Sequence, residues 1–158
     1  MRVGFDSSTE RELFVLEIPD AAKLPTFRLS SPRFVCLLAW DADKASDKML
    51  AQVANWLLNK GAVYVCCWGR DCERVHDAID TADIDRNPSC DPVVMTTWHS
   101  KEPLADAVYF ALNTAWPDEG YAVGCGCVLA VCVDNHEMAE AVRGAFADPR
   151  GFSNRICP

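Results

Sequence analysis

Phe34-Val35-Cys36-Leu37-Leu38-Ala39-Trp40, followed by Asp41-Ala42-Asp43 and the periodic segment Lys44–Lys60, decides how this chain folds. Seven apolar residues in succession leave no polar face, so the run suits a strand buried on both sides in a parallel sheet. Behind it, Met49, Val53, Trp56 and Leu57 recur at helical spacing, and Gly61 supplies a C-terminal stop. A buried strand followed by an amphipathic helix is a βα unit.

The unit repeats outward from there. Val63–Trp68 precedes Cys72–Ala82, where Val75, Ala78, Ile79 and Ala82 share one face and Glu73, Asp77 and Asp80 fall on the other. Val93–Trp98 precedes Lys101–Trp116, with Ser100 as the expected N-cap and Pro117 as the stop. Gly126–Val133 precedes Glu137–Ala147, capped by Asn135 and ended by Asp148-Pro149. One further apolar run, Leu13–Ile18, stands upstream of the loose stretch Pro19–Pro32.

This order predicts one three-layer α/β domain over residues 1–158, with a mostly parallel sheet of four to five strands and helices on both faces. Residues 1–32 are expected to give an edge strand, Leu13–Ile18, and a loop; 33–148 give four βα units; 149–158 read as a loop-like tail. The arrangement is Rossmann-like, and a flavodoxin-like strand order would set the first and third regular strands side by side at the switch point. That adjacency would bring Asp41 and Asp43 near Thr97 and His99.

Composition bounds the partners. The chain has 158 residues, half of them apolar, with 15 Lys+Arg against 23 Asp+Glu and a net charge of −8. Binding to nucleic acid or to anionic membrane needs Lys and Arg in excess, so neither is expected. No apolar run approaches the roughly 20 residues of a membrane-spanning helix, and the N-terminus shows no leader-like apolar region. A cytoplasmic location follows as the expectation. Nine cysteines, with Cys36, Cys66, Cys67 and Cys132 inside apolar runs, read as reduced thiols. Cys125 and Cys127 flank one glycine, and strand alternation would point both to one face. Structural zinc needs four ligands, and no second pair accompanies them, so no metal and no cofactor is expected.

The strand ends carry the chemistry-bearing residues. They supply Asp41 and Asp43, then Arg70 and Asp71, then Thr97 and His99 with Glu102, then Asp134, Asn135 and His136. Asp41, Asp43 and His99 are the catalytic candidates: the carboxylates for a hard cation or a sugar, the imidazole as acid or base. The bland alternative makes Asp43 an N-cap of the following helix, with Asp41 solvated beside the helix start. Trp40, Trp68 and Trp98 each end or nearly end a strand, and with Asp134 they are the ligand-binding candidates. Equally, the indoles can plug the sheet edge under the helices. No GxxxxGK[ST], GxSxG or HExxH occurs, and Gly124-Cys125-Gly126 precedes a strand rather than following one, so no nucleotide cradle is visible.

A second candidate is electrostatic. The acidic segment Asp71–Asp91 carries seven carboxylates, set against Arg70 just before it and Arg74 and Arg86 within it, a local balance of −4. Such a run is commonly a solvated helix face, yet it also steers a basic protein, which makes Glu73, Asp77 and Asp80 the partner-binding candidates.

Asp41-Ala42-Asp43 after an apolar strand resembles the opening motif of the haloacid-dehalogenase phosphotransferases, which pairs two acidic residues one position apart. Ala45 stands where that family carries Thr or Val, and no later acidic pair follows an apolar strand, since Asn135 succeeds Asp134. That resemblance implies a metal-assisted hydrolase or phosphotransferase with Asp41 and Asp43 at its centre. Ala39-Trp40-Asp41 and Cys66-Cys67-Trp68-Gly69 resemble strand ends of uncharacterised bacterial α/β proteins of unknown function, a likeness that implies fold and bacterial source but no activity. With no complete catalytic motif, the expected function is a small acidic protein-binding module, immunity-like in size and charge. The alternative is a small-ligand or enzymatic site at the strand ends.

Overall fold

The computed structural model describes residues 1–157. The elements are β1 (Arg2–Asp6), β2 (Arg11–Ile18), β3 (Arg33–Trp40), α1 (Asp47–Lys60), β4 (Ala62–Trp68), α2 (Cys72–Arg86), β5 (Met95–His99), α3 (Leu104–Asn113), α4 (Glu119–Ala122), β6 (Cys125–Val133), α5 (His136–Ala147) and α6 (Pro149–Ile156). They form one α/β domain around a six-stranded sheet of order β1-β2-β6-β3-β4-β5. Only β1 runs antiparallel to its neighbour.

Strand β3 shows why the apolar run has no wet side. Phe34, Cys36, Leu38 and Trp40 pack into one cluster with Leu50, Val53 and Leu57 of α1 and Val75 and Ile79 of α2. The alternate residues Val35, Leu37 and Ala39 pack into another with Ala107, Val108 and Ala111 of α3 and Met138, Val142 and Phe146 of α5. Each large side chain so buried contributes about 1.5–3 kcal/mol. Burial also pushes the Cys66 and Cys132 thiols up to about 12. The cysteines are free thiols, with Cys90 and Cys157 exposed and the other seven buried.

Six strands replace the expected four to five because Arg2–Asp6, short and interrupted by Gly4, has no apolar run to announce it. It takes the edge expected of Leu13–Ile18. That run lies one place inward, buried on both faces, with Leu13 and Val15 in one cluster and Phe14 and Ile18 in the other. The first and third regular strands are not neighbours: β4 separates β3 from β5, and β6 lies on the other side of β3.

Local chemistry explains the shifted ends. Helix α1 is capped by Ser46, whose side chain accepts from the Met49 N–H at 3.2 Å, so Asp43 is not the cap. Gly61 ends that helix at φ 99°, a left-handed geometry, and a side chain there would collide with the Pro32 carbonyl. Helix α3 begins after Pro103 rather than at Ser100, because a residue preceding proline is pushed out of helical geometry. Asp148-Pro149 stops α5 and also starts α6: the Asp148 carboxylate accepts from the Gly151 N–H at 3.0 Å and Pro149 takes the first helical position. The expected loop-like tail is therefore helical to Ile156. Cys125 and Cys127 fall into different core clusters, because the β3–β6 register shifts between Arg33/Cys125 and Phe34/Cys127.

Candidate functional site

Two regions collect the candidate residues. The first lies where β3 and β6 run side by side and their continuations diverge, α1 packing into one core cluster and α5 into the other. Such a divergence opens a crevice beyond the carboxyl ends of the strands. Here it measures about 490 Å³, and Trp40, Asp41, Asp43, Arg70, Asp134 and Asn135 are among its walls.

Two of its carboxylates, Asp41 and Asp43, are already engaged. Asp41 accepts from the Arg70 N–H at 2.8 Å, and the Arg70 guanidinium stands 3.5 Å from both Asp41 and Asp43. The Ala42 N–H donates to the Arg70 carbonyl at 2.9 Å, so the turns after β3 and β4 are fastened together. Gly69 makes this approach possible. It sits at φ 119°, and a side chain there would run into the Trp40 carbonyl. Asn135 is spent on capping α5, accepting from the Met138 N–H at 3.0 Å. Asp134 is exposed, in left-handed geometry, with its N–H donated to the Ile18 carbonyl. Among the described residues no group of three or more His, Cys, Asp or Glu is arranged to hold a metal ion.

His99 is 5% exposed, and both ring nitrogens are occupied. Nδ1 lies 2.8 Å from Glu102 Oε2, Nε2 lies 3.1 Å from the Thr97 hydroxyl, and the ring meets Phe110 edge-on at 4.9 Å. The Glu102 carboxylate fixes the tautomer and ring orientation. Despite the intervening strand, Asp41 and His99 both line a small cleft of about 180 Å³ with Trp68, Gly69 and Glu102. Thr97 is not part of that wall, so this hydroxyl–imidazole–carboxylate chain presents no nucleophile to it.

The three tryptophans do not act together. Trp40 is buried at the crevice floor, and Trp68 donates its indole N–H to the Glu102 carbonyl at 2.8 Å. Trp98 lies elsewhere, 48% exposed on the outer strand and edge-on to His76 of α2 at 4.7 Å. Of the three candidates, Trp40 lines the crevice and Trp68 the smaller cleft, while Trp98 lines neither, because its strand stands at the margin of the sheet.

That face is the second region. Glu73 and Asp77 are exposed along α2, and Asp80 is half-buried, accepting from the Thr96 hydroxyl at 2.6 Å. His76 sits between the last two, 2.9 Å from Asp77 and 3.5 Å from Asp80. Not every carboxylate of the acidic run belongs to the surface. Asp83 is buried and accepts from the Val94 N–H at 3.1 Å. Arg74, the cation in the first turn of the helix, faces away toward Asp71, Asp47 and the Ala45 carbonyl. Beside the carboxylates Ile84 is 54% exposed, and at the start of β5, on the other side of the sheet, Met95 is 39% exposed. Ile84 is out of phase with the Val75/Ile79/Ala82 stripe, so its place off the buried face is readable from the spacing.

No helix of the described residues is long and apolar enough to cross a membrane. No curated protein matches the chain. A family model described as a domain of unknown function, DUF7684, matches residues 13–149, which spans β2 through the start of α6 and so includes both regions; this chain belongs to that family.

Proposed function

We propose that this protein is a small acidic binding module that receives a basic protein on α2 and the adjoining β5, immunity-like in covering a positively charged surface and working in the cytoplasm. We take its layering to be Rossmann-like, with the face lying at the sheet's margin rather than at its switch point. One observation carries the reading: Trp98 stands half-exposed on His76 directly beside Asp77 and Asp80. An exposed aromatic beside carboxylates that meet no arginine or lysine has the composition of an interaction surface, where the ring anchors and the charges steer.

The test is capture of a basic partner from the source lysate by the native chain and by a Glu73→Lys, Asp77→Lys, Asp80→Lys variant. The native chain should retain the partner at low salt and lose it as ionic strength rises, because exposed charges are screened within about 10 Å at 0.1 M. The variant should retain none. Equal capture by both chains, or capture insensitive to salt, overturns the reading.

The crevice supports a second reading, a small-ligand site or a metal-assisted hydrolase at the strand ends. Its volume of about 490 Å³ at the diverging strands favours it, and Trp40 would report occupation. Fluorescence that shifts on titration with Mg²⁺ or sugars, and no longer shifts in an Asp43→Asn variant, is the outcome this reading requires. A flat response to both ligands removes it.

A further inference from the structure

The two edges of the sheet are treated differently. β1 has a register shift between Arg2 and Gly4, and α5 and α6 pack against it. Bulges and covering helices are the usual devices that stop an edge from accepting another strand. β5, at the opposite margin, has β4 on one side and no strand on the other, pairs with β4 without a register shift, and reads Met95-Thr96-Thr97-Trp98-His99 with neither lysine nor proline. Successive residues of a strand direct their N–H and C=O groups to opposite sides, so alternate residues of β5 offer theirs outward.

The side chains flanking that edge define what fits it. Trp98 and Thr96 lie on the α2 side, as the Trp98–His76 and Thr96–Asp80 contacts show, and alternation puts Met95 on the other side. The α2 side is acidic, through Glu73, Asp77, Asp80 and Asp85, while the far side offers the half-exposed Met95. We infer that β5 accepts an extended basic segment of a partner protein as a seventh strand, with Lys or Arg at every second position over α2 and apolar residues at the positions between. This rests on the acidic-face reading and adds to it the backbone pairing and the residue pattern. A second copy of this chain is disfavoured as the occupant: antiparallel pairing of two β5 edges would set the two acidic α2 faces side by side.

The probe is a synthetic eight-residue peptide of alternating lysine and valine, matched to a version N-methylated at every second residue so that one edge cannot donate. Both carry the same charge, and the protein is unaltered. Strand addition predicts that the unmethylated peptide binds roughly tenfold or more tightly than the methylated one, since two or three hydrogen bonds are lost. It also predicts slowed amide exchange at alternate residues of Met95–His99. Equal, salt-sensitive binding of both peptides overturns strand addition while leaving the acidic-face reading intact. Binding of neither removes both. Slow exchange of β5 without peptide, in a chain that dimerises with concentration, makes a second copy the occupant and overturns the proposal.

Discussion

The crevice at the ends of β3 and β6 and the face formed by α2 with β5 are both rich in carboxylates, and they differ in what those carboxylates hold: an arginine that joins two turns in one, a histidine and a threonine hydroxyl in the other. In the crevice, Asp41 and Asp43 answer to Arg70, Asn135 caps a helix, and Gly69 is shaped to let two turns meet. On the face, Glu73 is exposed, and Asp77 reaches, among the described residues, only His76, on which the exposed Trp98 rests. Charge alone does not distinguish a site from a fastening. What distinguishes them is whether removing the group would cost the fold or only a contact, and substitution reads that directly.

The sharpest break should come at Gly69→Ala. A positive φ that L residues rarely adopt, together with a collision against the Trp40 carbonyl, should remove roughly 3 kcal/mol of stability, read as a fall in the urea midpoint at constant slope. A loss below about 1 kcal/mol would mean that the turns after β3 and β4 are not tightly joined.

Next is Asp83→Ala. Asp83 belongs to the acidic run in the sequence but to the interior in the structure, where it holds the Val94 N–H, so its loss should cost about 1–3 kcal/mol. A neutral result would return Asp83 to the surface and widen the acidic face. Arg70→Ala should cost less, about 0.5–1 kcal/mol, because its ion pairs are largely exposed. It also uncovers two neighbouring carboxylates, so Ca²⁺ should raise the melting temperature of this variant more than that of the native chain. An equal response would show that Arg70 does not mask the pair.

The smallest effect on stability, within about 0.5 kcal/mol, is expected for Glu73→Gln and Asp77→Asn. The same substitutions should slow association with a basic partner, most clearly at low salt. If they unfold the protein instead, the face is a fastening too and the contrast fails.

Much of the fold was legible because its decisive residues act through periodicity. The run from Phe34 to Trp40 has no polar position, and Asn135 and Gly61 mark helix ends by their own chemistry. What escaped depends on tertiary partners. β1 is too short and polar to stand out, α6 hides behind an Asp-Pro that reads as a stop, and the Cys125/Cys127 pair is parted by a register shift that no spacing reveals. The site was legible as a set of strand-end residues, and not as an arrangement. His99 looked available because neither Glu102 nor Thr97 could be assigned to its ring nitrogens from sequence, and Trp98 looked like a pocket wall because its strand's place at the margin of the sheet could not be read.

The central claim is that the α2 and β5 face, rather than the strand-end crevice, receives the partner. Amide chemical shifts of the labelled protein, followed during titration with oligolysine, compare the two regions in one experiment, since both are acidic and both are accessible. Shifts are expected to concentrate at Glu73, Asp77, Asp80 and the residues of β5 and to fade as salt is added. Shifts concentrated instead at Asp41, Asp43 and Asp134, with α2 and β5 unmoved, would contradict it.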